Sequence, residues 1–168
     1  MLIHRRKHAA GFTLVELMVV VLIAAILVGI AVPSYQSQIR HSRRTDAKTA
    51  LLDAAVREEK NLTLNNQYTT TAASLGYGSL PLAIGSSYYT LNVCVSAGAL
   101  QAAANPCVGA TVTGTVGTYF VVSAVPVAGT SQVKDTDCQY FAVDNSGAQF
   151  SSNNAAGTGT NTTSTCWQ

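Results

Sequence analysis

Charge is scarce in this sequence and absent where it matters most. Only 11% of the residues are Asp, Glu, Lys or Arg, and none of them lies between Leu17 and Ile39. From Asn61 to Gln168 the only base is Lys134, against the acids Asp135, Asp137 and Asp144. That region offers little to a polyanion, because nucleic-acid binding rests on phosphate neutralisation. Histidine is confined to His4, His8 and His41, so no imidazole cluster exists for a metal or for general-base chemistry. No nucleophile elbow, H-E-x-x-H or phosphate loop occurs. Enzyme activity is not expected, and no cofactor is called for.

Cysteine is missing before Cys94 and then appears four times, with Cys107, Cys138 and Cys166. No two have the C-x-x-C spacing of a redox or zinc site. An even count beyond an apolar export segment points to two disulfides made in an oxidising compartment. Three pairings are possible. Cys94–Cys107 with Cys138–Cys166 is favoured, since both close short loops and leave the strands between them untangled.

What the chain does have is one long apolar run. Phe12 to Val32 would span about 30 Å as a helix, the thickness of a bilayer core. Arg5, Arg6 and Lys7 before it assign the preceding end to the cytoplasm. A cleaved signal peptide and a plain anchor both fit this outline, yet neither explains Glu16. A carboxylate within a membrane helix costs roughly 2.5–3.5 kcal/mol on insertion scales. Cleavage between Gly11 and Phe12 would create an α-amine four residues before Glu16. Residues i and i+4 share a helix face, and a buried carboxylate needs an opposite charge. The amine could serve Glu16 of the same chain or of a neighbour, and the second arrangement would set the register of an assembly.

GFTLVELMVVVLIAAILVGIAVPSY resembles the amino-terminal signature of type IV prepilins, on Gly11, Phe12, Thr13, Leu14 and Glu16. The likeness runs on through PSYQSQIRHSRRTDAKTALLDAA and returns at Cys166-Trp167, where it is similar to the PilE-like minor pilins. The resemblance implies an α+β pilin fold: one long amino-terminal helix on a small antiparallel sheet, with a disulfide-closed carboxy-terminal loop. It implies a leader over 1–11, a transmembrane and filament-core helix half over 12–34, and a periplasmic globular domain over 35–168. A prepilin peptidase would cut after Gly11 and methylate Phe12, and Thr13 and Glu16 would serve assembly. The partners implied are other pilin subunits, the peptidase, an inner-membrane assembly platform and the inner membrane itself. The product would be an extracellular filament for adhesion, twitching motility or DNA uptake. The rival readings are a type II secretion pseudopilin, often calcium-bound, and a pilin displayed as a DNA receptor or adhesin. Nucleic acid is not expected as a partner, given Lys134 alone on the sheet side.

The remaining patterns are local. Gly29 and Pro33 predict a kink or loosened turn inside a helix that resumes beyond Tyr35, because proline denies the Gly29 carbonyl its partner. Ala47, Ala50, Leu51, Ala54 and Ala55 recur at helical spacing, and asparagines at 61, 65 and 66 are stop signals. The helix would run from Phe12 to about Asn61, roughly 75 Å. SSYYTLNVCV and TYFVVSAVPV read as strands, and CQYFAVDNSGAQF as a hairpin around D-N-S-G. Three or four strands are expected in all. Arg40, Arg43, Arg44 and Lys48 form a basic cluster that could contact nucleic acid or anionic lipid; the favoured reading is a solvated helix face or pairing with nearby acids. Asp135, Asp137 and Asp144 could invite calcium but lack an EF-loop pattern, and Asn61-Leu62-Thr63 and Asn161-Thr162-Thr163 match glycosylation acceptors.

Overall fold

The computed structural model describes residues 12–98, 100, 102, 107 and 116–168. The cleavage-site glycine, Gly11, and the leader before it lie outside the described residues. A single helix, α1, spans Leu14–Asn65 with Pro33 inside it. It does not stop at the proline, although the missing N–H removes one bond of the helical ladder. It ends where Asn66 takes φ +57°, the left-handed cap conformation that asparagine tolerates. The Asn66 N–H bonds the Leu62 carbonyl at 2.7 Å. Asn61, expected as a stop, instead sits inside the helix. It is buried, and its side-chain amide donates to the Gln67 carbonyl at 2.6 Å, holding the chain as it turns away.

The chain separates into two compact units, the first ending at Ile39 and the second beginning at Arg40. In the first unit nothing from Phe12 to Gln36 is buried. In the second, Ala47, Leu51, Ala54, Glu58 and Asn61 of α1 are buried, alternating three and four apart. The alanines let the helix backbone approach a sheet closely.

That sheet has five antiparallel strands in the order β2-β3-β5-β6-β7: β2 is Leu82–Ile84, β3 Tyr89–Ser96, β5 Tyr119–Pro126, β6 Tyr140–Asp144 and β7 Gln149–Ser152. A second, two-stranded sheet pairs β1, Tyr68–Thr69, with β4, Val116–Gly117. The expectation of three or four strands missed β1, β2 and β4, which are too short to show period-2 patterning. Gly117 is required where it stands: a Cβ there would lie 2.5 Å from the Ser96 carbonyl oxygen.

One face of the large sheet packs Tyr89, Leu91, Val93, Val95, Phe120, Val122 and Phe141 with the α1 alanines and Leu51. The opposite face is also covered, by a smaller cluster of Ala102, Val121, Tyr140, Ala142 and Phe150. Cys94 is bonded to Cys107 and Cys138 to Cys166. The second bridge ties the short helix α2, Thr163–Cys166, to the start of β6. Beside it Trp167 donates its indole N–H to the Phe150 carbonyl at 3.0 Å.

Candidate functional site

At the head of α1, Thr13 precedes the first helical residue, and its Oγ1 accepts the Glu16 backbone N–H at 3.2 Å. This is half of a T-x-x-E capping box. Helix initiation is therefore one local reason for the spacing of Thr13 and Glu16, a signal that charge arguments about Glu16 do not use. Phe12, Thr13 and Glu16 stand together at this end, all exposed. Leu14, Val15, Met18, Leu22, Ile26 and Ile30 are among the bare apolar side chains that follow. Among the described residues, α1 is the one helix long and apolar enough to cross a membrane. Gly29 and Pro33 both lie within it, and Gly29 has open space where a side chain would stand.

The globular unit holds three polar clusters. In the first, Arg44 is buried and makes a two-pronged pair with Asp135, Nε to Oδ2 at 2.7 Å and Nη2 to Oδ1 at 2.5 Å. Gln132 lies fully buried beside it, donating from Nε2 to Tyr89 Oη at 2.9 Å and to Asp135 Oδ2 at 3.0 Å. Burial raises the Tyr89 hydroxyl well above its usual range, and the charge of Asp135 adds to the effect. The same turn, Ser131–Lys134, is held to α1 by Gln132 Nε2 on the Arg40 carbonyl at 3.4 Å. Arg43 adds a bond to Ser131 Oγ at 2.8 Å, with its guanidinium 3.3 Å from the Tyr88 ring centre. Arg44 is thus neither solvated nor paired with a helical neighbour. Its partner is 91 residues away.

Glu58 forms the second cluster. It is fully buried, accepts the Thr69 N–H on Oε2 at 3.0 Å, and has no hydrogen bond on Oε1. Desolvation raises its carboxyl to about 7, against the Thr69 bond that lowers it, while nearby Glu59 raises it further. Tyr68 donates to Glu59 Oε1 at 2.9 Å, and its hydroxyl is pushed up to about 12, first by desolvation and then by that bond.

The third is a groove between the end of α1 and the loop after β1, lined by Arg57, Lys60, Asn61, Asn65, Ser74 and Gly76. Arg57 is fixed there by Asp53 at 2.7 Å and by the Leu75 carbonyl at 2.9 Å. The acids considered for calcium do not converge: Asp135 faces Arg44, and Asp144 caps the β6–β7 turn through Ser146 and Ala148. Among the described residues no group of three His, Cys, Asp or Glu is placed to hold a metal.

Residues 6–32 match the sequence family described as the prokaryotic N-terminal methylation motif. Residues 33–142 match that described as "Type IV minor pilin ComP, DNA uptake sequence receptor". The chain belongs to the type IV minor pilins. This pilin is also 41% identical over 76 residues to a type IV major alpha-pilin of Moraxella bovis, covering 41% of this chain and 47% of that protein. It is 36% identical over 78 residues to the type IV wide pilus major component PilA4 of Thermus thermophilus, covering 45% of this chain and 60% of that protein. The match thus spans roughly half of each relative. The pilin fold expected from the resemblance, a long amino-terminal helix on an antiparallel sheet, is the fold observed.

Proposed function

We propose that this pilin is a structural subunit of a type IV pilus, made as a membrane-held prepilin and drawn into the filament through the first half of α1. The observation that carries this reading is the helix surface from Phe12 to Val32, wholly apolar apart from Thr13, Glu16 and Gly29, and exposed at every position. Such a surface needs lipid before assembly and other helices after it. In this reading prepilin peptidase cuts between Gly11 and Phe12 and methylates Phe12, and Glu16 pairs with a Phe12 amine in the dry filament core. An unpaired carboxylate there is costly, and Thr13 starts the helix that presents it. Pro33, by leaving the Gly29 carbonyl unpartnered, supports a loosened turn between the two. The functional division is then a leader over 1–11, a membrane and filament-core half over 12–34, and a periplasmic domain over 35–168. The subunit moves from the inner membrane to an extracellular fibre through an assembly platform, with other pilin subunits as partners. Glu16→Ala should abolish or sharply reduce piliation while the mature mass still shows loss of the leader. Normal filaments in that variant would sink the pairing.

The family's description as a DNA uptake sequence receptor favours a second role, capture of DNA by the displayed subunit. The expectation against nucleic acid counted bases beyond Asn61. The groove of Arg57 and Lys60 takes its cations from α1 instead and adds Asn65 and Ser74, residue types that contact phosphates. Lys60→Gln should weaken duplex binding across sequences and lower its salt dependence by about one phosphate contact. A gel-shift titration at several salt concentrations tests this, and an unchanged salt slope would remove the groove from the binding surface.

A further inference from the structure

The outward end of the apolar segment is marked by two kinds of residue that favour a lipid headgroup layer. Tyr35 follows Pro33 and is 69% exposed; such an amphipathic ring settles at the membrane–water boundary. Arg40 comes five residues later, at most about 17 Å along any path of the chain, and opens the globular unit.

Around it the fold gathers cations that are far apart in sequence. The Ser131–Lys134 turn is fastened to α1 by Gln132 on the Arg40 carbonyl and by Arg43 on Ser131. Lys134 ends that fastened turn and is exposed. Asp135, the acid that could cancel it, is taken up by Arg44. The acids left near this face are Asp137, which is exposed and 4.0 Å from Arg44, and Asp46 on α1. Arg40, Arg43 and Lys134 have no carboxylate partner within 4 Å among the described residues.

We propose that this face of the unassembled subunit, Arg40, Arg43 and Lys134, rests on the anionic lipid headgroups of the membrane that holds residues 12–34. The inference rests on the membrane anchoring proposed above and adds a docking surface to it. The headgroup layer is about 5–8 Å thick on each side of the bilayer; the stems of Arg40 and Lys134 would extend into it with their charges outward, while Arg43 adds its charge from its place on Ser131 and Tyr88. Each cation near such a surface is worth a severalfold gain in association. Docking holds the globular unit at the bilayer, and leaving for the filament exchanges lipid phosphates for other contacts.

The test uses the full chain in nanodiscs of phosphatidylcholine alone or mixed with phosphatidylglycerol. A water-soluble acylating reagent is applied and labelling read by mass spectrometry. Lys134 should label about fivefold more slowly in the anionic discs, and Lys60, at the far end of the helix, at the same rate in both. High salt or Arg40→Gln should remove most of the difference, with the melting temperature of the variant reported alongside. Equal Lys134 labelling in both lipids overturns the proposal. So does protection of Lys134 by added duplex DNA in neutral discs without any effect of phosphatidylglycerol, which would assign the face to nucleic acid. Failure of the chain to enter discs of either composition would overturn the anchoring itself and this inference with it.

Discussion

Among the described residues, Glu58 is the one carboxylate buried with an oxygen left over. Its carboxyl sits at about 7 against a usual 4.5, so the folded state binds a proton that the unfolded chain has already released. Stability from this group is therefore full below about pH 4.5 and declines as the pH rises towards 7. The total loss is on the order of 1–3 kcal/mol. Glu58→Gln keeps an acceptor for the Thr69 N–H and has no charge to bury. Its melting temperature should exceed that of the parent at pH 8 and match it more closely at pH 5, as followed by circular dichroism. Arg44 and Asp135 behave differently. Asp135→Ala would strand a buried guanidinium and should cost about 3–5 kcal/mol. Adding Arg44→Met to it should recover much of that loss, a coupling that denaturant titration of the single and double variants would measure. Neither pair was legible in the sequence. Arg44 and Asp135 look like ordinary surface charges until the Ser131–Lys134 turn is laid on α1, and that placement is decided by packing 91 residues apart.

Among the elements, α1 does two jobs with one helix. Its second half is held to the sheet by small residues and one large one, Leu51, which is fully buried. Leu51→Ala should cost about 2–5 kcal/mol, because the rigid sheet behind it cannot collapse into the gap. A similar truncation at Val56, exposed on the other side, should change stability by less than about 0.5 kcal/mol. Chemical denaturation of the two variants gives the contrast. Much of this element was readable beforehand, since the Ala47–Leu51–Ala54 spacing is a local pattern and so is the apolar run. Strands β3 and β5 and the β6–β7 hairpin were equally plain, from eight-residue runs and the D-N-S-G turn that Asp144 closes. Strands β1, β2 and β4 were not, because two or three residues hold no period and exist only through their partners. The Arg57–Lys60 groove was hidden for a related reason: one wall is helix and the other a loop whose path depends on the Glu58–Thr69 bond.

For the whole molecule, the distribution of polarity suits the change of solvent proposed above. In the proposed passage from membrane to filament one part would have to be stable in lipid and the other in water, and the sequence separates them with almost no charge on one side. Exchange of Gly11 for Val should leave the leader in place, read as an intact-chain mass, and should prevent assembly without unfolding the disulfide-bonded unit. The Cys138–Cys166 bridge then has a mechanical meaning. Were the subunit loaded in the proposed filament, a chain segment of 28 residues could otherwise pay out about 95 Å before becoming taut. With the bridge closed, β6, β7 and α2 can tilt or detach as a block but cannot lengthen. Single-molecule stretching of the oxidised subunit and of a Cys138→Ser/Cys166→Ser variant, which keeps the Cys94–Cys107 bridge, should differ by nearly that contour length, so that in the proposed fibre this loop would be an inextensible link.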